Sequence, residues 1–65
     1  MFLRYRLVVS YFETVIYEKY FKSINQVVNV ADGFDDDSVF ECHDLLTDTL
    51  FSNVFLRGLI KEFRR

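Results

Sequence analysis

The sequence has no proline, no tryptophan, two glycines, one cysteine and one histidine among its 65 residues. Two isolated glycines cannot build a phosphate-binding loop, which excludes the common nucleotide-binding motifs. Cys42 cannot form an intramolecular disulfide, and with only His43 beside it the chain has too few ligands for a zinc cluster. A reducing compartment is the simpler prediction, so we expect a cytoplasmic protein with Cys42 as a small core residue.

Residue patterns for catalysis and metal binding are equally scarce. His43 has no cysteine or serine nucleophile at a helical spacing, because the nearest hydroxyl belongs to Thr47, a common helix residue. The aspartates around Gly33 suggest calcium. However, an EF-hand loop with that glycine at its sixth position would place Val28 and Val30 where acids are needed. The sequence therefore predicts a protein that is not an enzyme and has no metal site and no cofactor.

Apolar residues are abundant but do not form a long run. The longest segments without a charge are nine residues (23–31) and eight residues (49–56), whereas a membrane-spanning helix needs about 20 apolar residues. We therefore expect a soluble or peripheral protein with a single domain over 1–65. Its eight Phe and four Tyr are more bulky apolar surface than such a small domain readily buries. This excess predicts that part of the apolar surface meets a partner, which a second copy, a host complex or a membrane surface could each supply, and we expect a homo-oligomer.

Charge is distributed unevenly along the chain. Residues 23–56 contain seven acidic residues and no Lys or Arg, whereas both ends carry more basic than acidic residues, and the net charge is −2. Blocks of one sign predict electrostatic contacts, either between the ends and the middle of the chain or with a partner.

The first segment supports two interpretations. Read with a helical period, Val8, Phe12 and Val15 lie on one face. Read with a period of two, apolar and polar residues alternate over 2–11, and the β-branched and aromatic content favours a strand. Because no Gly, Pro, Asn or Asp occurs between residues 12 and 22 to form a hairpin turn, we predict a helix over about 4–24. The alternative is a strand at 2–11 followed by a helix.

The middle of the chain contains the most regular polar pattern. Ser38 and Glu41 match a capping box, which predicts a second helix over about 38–51. In that helix four carboxylates, at spacings of four, three and four residues, would align on one face, opposite an apolar face. This acidic row comprises Asp37, Glu41, Asp44 and Asp48.

A third helix is predicted at the end of the chain. The apolar face rotates around Ser52 and Asn53, which indicates a break before a helix over about 53–64. Its cations, at offsets of four, seven and eight residues, would form a basic stripe. The basic stripe comprises Arg57, Lys61, Arg64 and Arg65. The three segments together predict an all-α three-helix bundle, with an α+β fold containing the N-terminal strand as the alternative.

These patterns predict a non-enzymatic protein-interaction module, an inhibitor or adaptor that docks a basic partner through the acidic row. Like charges at these spacings repel by about 0.2–0.5 kcal/mol per pair, so the row needs a partner or a compensating cation. Small acidic proteins without motifs are typical of phages and other mobile elements. Three apolar side chains are predicted to flank the docking surface: Phe40, Leu45 and Phe51.

Two other functions fit the same sequence. The basic amphipathic segment 55–65 suits an anionic membrane surface, although eleven residues are few for stable binding alone. A structural subunit of a larger assembly is the other alternative. The sequence argues against nucleic-acid binding, because the seven acidic residues would repel the phosphate backbone. The basic stripe could also neutralise the acidic row within the chain.

Overall fold

The computed structural model describes residues 2–64, which form four β-strands and two α-helices. The strands make one antiparallel sheet in the order β2-β1-β3-β4. The predicted all-α three-helix bundle is therefore wrong, and the fold is α+β. In chain order the elements are β1 (Tyr5–Tyr11), β2 (Thr14–Phe21), α1 (Ile24–Ala31), β3 (Val39–Asp44), β4 (Thr49–Phe51) and α2 (Asn53–Phe63).

The alternating pattern of β1 explains its place in the middle of the sheet. Leu7 and Val9 are fully buried, whereas Arg6, Val8 and Ser10 are only partly buried. This period of two, in a segment rich in β-branched and aromatic residues, is that of a strand with one face on a core. Pairing with β2 on one side and β3 on the other gives the β1 backbone hydrogen-bond partners along both edges.

The segment 4–24, predicted to be a helix, is instead largely a hairpin of β1 and β2. The alternative prediction of a strand at 2–11 is closer to the structure, but a second strand, not a helix, follows it. Phe12 and Glu13 make the two-residue turn with φ values of 49° and 67°. Positive φ at both positions is what a type I′ turn requires, and Asn and Gly usually supply it. The pairing of two long strands here outweighs the poor turn residues.

The short helix α1 occupies a segment in which the sequence shows only weak patterning. Ser23 caps its N-terminus, because the hydroxyl accepts a hydrogen bond from the Gln26 amide. Val27, Val28 and Ala31 lie on the buried side of the helix. Three buried apolar residues are enough to hold this eight-residue helix on the sheet, since tertiary packing supplies most of the stability of short helices.

The helix α2 lies where a helix over 53–64 is predicted. Ser52 is its N-cap, with Oγ accepting from the Phe55 amide at 3.2 Å. Leu56 and Ile60, one turn apart, are buried against the sheet and α1. The break in the apolar pattern at residue 52 thus marks the change from β4 to α2.

The predicted helix over 38–51 is wrong. Its residues form β3, a turn at 45–48 and β4. In β3 the buried Phe40 and Cys42 alternate with the exposed Val39 and Glu41, so a period of two describes the segment. The apparent capping box is not used, because Ser38 precedes a strand and its buried Oγ has no hydrogen-bond partner among residues 2–64.

The two helices cover one face of the sheet and leave the other uncovered. The core lies between the layers and joins side chains of β1, β2 and β3 to those of both helices. Cys42 is buried there, as predicted. The described residues extend over 32 × 30 × 17 Å, so the molecule is broad and thin. A thickness of 17 Å matches one helix layer on one sheet at the usual spacing of about 10 Å.

Candidate protein interface

The face of the sheet that the helices leave uncovered carries exposed apolar side chains and has no partner within the described residues. Its central row comes from β1, where Arg6, Val8 and Ser10 point away from the core. Val8 lies between Glu18 and Glu41 in the two neighbouring strands. Because directly paired residues share a face, these three side chains lie side by side on the uncovered surface.

Apolar side chains lie on this surface to either side of β1. A register shift in the β1–β2 ladder places Ser10 opposite Val15 instead of Ile16. In β2, Val15 and Ile16 are 57% and 50% exposed, and across β1 Val39 in β3 and Leu50 in β4 are 52% and 64% exposed. Large apolar side chains exposed to this extent on one flat face are typical of a docking surface. We call it the sheet face; its residues are Arg6, Val8, Ser10, Val15, Ile16, Glu18, Tyr20, Val39, Glu41, His43 and Leu50.

Two polar contacts lie on or beside the sheet face. Arg6 Nε donates to Glu18 Oε2 at 2.7 Å, and this hydrogen bond raises the pKa of the Arg6 guanidinium, with a smaller contribution from the charge of Glu41. His43 Nε2 lies 2.8 Å from Asp48 Oδ1 at the turn after β3. The sheet face therefore carries the polar side chains of Arg6, Glu18, Glu41 and His43 as well as apolar ones.

The predicted acidic row does not exist as a surface, because residues 37–48 are not helical. Asp37 lies in the loop before β3, Glu41 lies on the sheet face, and Asp48 lies in the turn after β3. Asp44 points to the opposite, helix-covered side and is 3% exposed. There its carboxylate accepts hydrogen bonds from Arg4, which lower the pKa of Asp44 to about 2.

The three apolar residues predicted to flank that row are also separated. Phe40 is buried in the core, and the Arg57 guanidinium lies over its ring, 4.9 Å from the centroid. Leu45 is in the turn after β3, and Phe51 at the end of β4 stacks on Phe55 with ring centroids 5.1 Å apart. None of the three lies on the sheet face.

The predicted basic stripe contacts the loop between α1 and β3. Arg57 Nη2 donates to the backbone carbonyls of Asp36, at 2.6 Å, and Ser38. Arg64 Nε donates to Asp32 Oδ1 at 2.7 Å. Lys61 is exposed on α2, and Arg65 lies outside the described residues. The acidic middle and the basic end of the chain therefore do meet, but through the loop at 32–38 and mostly through backbone carbonyls.

The described residues show no cluster suited to holding a metal ion. Within 2–64, no three His, Cys, Asp or Glu side chains lie close enough to hold a metal ion. Burial raises the pKa of the Cys42 thiol to about 11, so this cysteine is protonated at neutral pH and is a poor nucleophile. No helix in the described part of the chain has the length and apolar character needed to cross a bilayer.

Apart from Glu41, the sheet-face residues are not predicted from the sequence, because both segments that contribute most of them show a helical spacing. The signal was nevertheless present in β1, where polar and small residues alternate with Leu7 and Val9. A strand at 2–11 would have placed Arg6, Val8 and Ser10 together on one face.

Comparisons with known proteins add no assignment: no protein-family model matches the sequence, and no curated protein and no solved structure was found to match it.

Proposed function

We propose that this protein is a non-enzymatic protein-interaction module that docks a second copy of itself through the sheet face. The observation that supports the proposal is a four-stranded sheet with both helices on one side and four large aliphatic side chains exposed on the other. Stacking two such faces would remove these side chains from water, which the described part of a single chain does not do.

The size of the surface supports this partner. The two longer dimensions of the molecule, 32 and 30 Å, bound a face of the order of the ~800 Å² that each partner buries in a standard stable interface. Two sheets pack face to face at about 10 Å with their strands nearly aligned, so a second copy offers a surface of matching shape. The product would have four layers, with helices outside and two sheets inside.

The charges of the sheet face also suit a symmetric pair. Arg6 donates a hydrogen bond to Glu18 and also interacts electrostatically with Glu41, so one cation lies near two carboxylates. In a dimer with two-fold symmetry each copy would present both a cation and carboxylates to the other. Each ionic contact across the interface would then occur twice, once from each copy. Ionic contacts of this kind determine how the two copies are oriented more than how tightly they bind, because the apolar side chains supply most of the buried area.

The geometry favours this function over docking through an acidic helix, because the acidic helix is absent. On α2, Leu56 and Ile60 are buried in the core. Phe55 and Phe63, in contrast, are 48% and 47% exposed, so binding of α2 to a membrane surface stays the second candidate function. In each of the three roles considered, as an inhibitor, an adaptor or a subunit of a larger assembly, we expect the dimer to be the functional unit. We place the protein in the cytoplasm, because its one cysteine provides no intramolecular disulfide.

Light scattering coupled to size-exclusion chromatography tests the proposal. The wild-type chain is expected to run as a dimer at micromolar to millimolar concentrations, and Ile16→Lys or Leu50→Lys should produce a folded monomer. Val54→Lys is the matched control, because Val54 is 81% exposed on α2 and lies off the sheet face. A wild-type monomer at millimolar concentration, or a dimer that survives both sheet-face substitutions, would contradict the proposal.

A further inference from the structure

The strand β2 is an open edge of the sheet. It pairs only with β1 and is last in the strand order, so the backbone N–H and C=O groups of its outer side have no strand partner among residues 2–64. At eight residues, with no proline, it is long enough to accept another strand. Exposed edges of this length are templates for strand addition unless something covers them.

A groove runs beside this edge on the helix-covered side of the sheet. Its cavity volume is about 430 Å³, and it lies between β2 and the outer side of α1. Gln26, Asn29 and Val30, spaced three and four residues apart, form the helical wall. The Gln26 side-chain oxygen accepts from the Lys22 amide at 3.0 Å, which fixes that wall to the end of the strand. Leu3 and Phe21 supply apolar lining.

The charge of the groove is positive. Lys19 and Lys22 line it, no acidic side chain does, and neither lysine forms an ion pair with another described residue. The Lys19 ammonium lies 5.9 Å from the centroid of the Phe21 ring, which holds it beside the apolar lining. An occupant should therefore combine backbone hydrogen bonding, one or more apolar side chains and negative charge.

We infer that the groove between β2 and α1 binds an extended acidic segment of a partner protein as a fifth strand of the sheet. Backbone groups of the segment pair with the outer side of β2, and alternate side chains enter the groove, where carboxylates meet Lys19 and Lys22. This site lies on the edge and the helix side of the sheet. It goes beyond docking through the sheet face and does not depend on it.

A peptide titration followed by nuclear magnetic resonance of the full chain tests the inference. The probe is an acetylated and amidated Glu-Val-Glu-Val-Glu-Val peptide, and the expected result is amide shift changes confined to β2, α1 and the residues between them. The Lys19→Glu, Lys22→Glu double variant should weaken binding by about tenfold or more, since both cations are reversed. The control Lys61→Glu changes an exposed lysine on α2 outside the groove and should leave affinity unchanged.

Two further peptides separate strand addition from simple charge attraction. The same sequence with alternate backbone nitrogens methylated loses the hydrogen bonds of strand pairing and should not bind, and a Lys-Val peptide of equal length should not bind either. Equal binding of the methylated peptide would show that only charge is recognised, as for any polyanion, and would overturn the inference. Equal binding of the Lys-Val peptide, or no shift at millimolar peptide, would overturn it too.

Discussion

Arg4 and Asp44 join the two central strands at one end of the sheet through a paired ionic contact. Arg4 Nε and Nη2 donate to the two carboxylate oxygens of Asp44, each at 2.9 Å. The Arg4 carbonyl accepts from the Leu45 amide at 2.8 Å, and Asp44 Oδ1 accepts from the Leu46 amide at 3.1 Å. The pair therefore fixes the start of β1 to the turn after β3, and the hydrogen bonds from Arg4 are the main reason for the low pKa of Asp44.

This contact predicts a loss of stability in acid. The pKa of Asp44 is about 2 in the folded protein against an ordinary value of 3.8, so the unfolded chain takes up this proton first as the pH falls. The stabilising contribution is complete above pH 4 and disappears as the pH falls through 2. Thermal unfolding of wild type and Asp44→Asn from pH 6 to pH 2 should show a difference in Tm that narrows toward zero at the acid end.

An exposed acid provides the control for that experiment. Glu62→Gln on α2 removes one carboxylate without touching the Arg4–Asp44 contact, so its Tm should follow the wild-type curve over the same pH range. If Asp44→Asn and wild type differ by the same Tm at pH 2 as at pH 6, the low pKa of Asp44 is not what links stability to pH.

The turn between β1 and β2 predicts a stabilising substitution. Glu13 has a φ of 67°, a left-handed conformation that costs an L residue about 1–2 kcal/mol and costs glycine little. Glycine also adds freedom to the unfolded chain, at a cost of about 0.4–1 kcal/mol. Glu13→Gly should therefore raise the free energy of unfolding by up to about 1 kcal/mol, measured by denaturant titration.

Alanine at the same position separates backbone relief from removal of charge. Glu13→Ala also loses the carboxylate but keeps a Cβ, so it should gain nothing from the positive φ. Equal stability of the alanine and glycine variants would mean that relief of the positive φ at residue 13 only offsets the freedom that glycine adds to the unfolded chain, and it would contradict the predicted net gain.

The hairpin of β1 and β2 also shows why the sequence predicts the wrong fold class. The alternation of Leu7 and Val9 with less buried residues indicates the strand β1. Phe12 and Glu13, however, are not typical turn residues, so the sequence predicts a helix over 4–24 instead of a hairpin. In β3, Val39 and Cys42 fit a helical spacing while Phe40 and Cys42 fit a strand. Pairing with β1, a contact between residues 29 to 39 positions apart, decides between them, and local propensity contains no information about it.

The candidate site was predictable only in part for the same reason. Of the acidic row, Glu41 alone lies at the centre of the sheet face, because a period of two sends Asp44 to the opposite side. The segments whose signals are local were interpreted better: the break at Ser52 corresponds to a helix cap, and Cys42 is in the core. Excess apolar surface is a property of composition, so it pointed to association without indicating which residues are exposed.

Arg57 is predicted to hold the loop between α1 and β3. Its guanidinium donates to two backbone carbonyls of that loop and lies over the Phe40 ring, a geometry that a lysine ammonium cannot reproduce. Arg57→Lys should lower the free energy of unfolding by about 1–2 kcal/mol although the charge is kept. Hydrogen exchange should also become faster at the amides of 34–38.

A second cation on the same helix provides the comparison. Lys61→Arg makes the reverse exchange at an exposed position and should change stability by less than about 0.5 kcal/mol. If Arg57→Lys is as stable as wild type, the contacts with the loop carbonyls and with Phe40 make no net contribution.

Two serines distinguish the strand assignment of 39–44 from a helix beginning at Ser38. In the structure Ser52 Oγ caps α2 at 3.2 Å from the Phe55 amide, whereas Ser38 Oγ is buried without a hydrogen-bond partner among residues 2–64. Ser52→Ala should therefore lower the free energy of unfolding by about 1 kcal/mol. Ser38→Ala should change the free energy of unfolding by less than about 0.5 kcal/mol or raise it, because an unsatisfied hydroxyl is removed from the interior. Denaturant titration of both variants measures the contrast, and a capping-sized loss in Ser38→Ala alone would favour the helix.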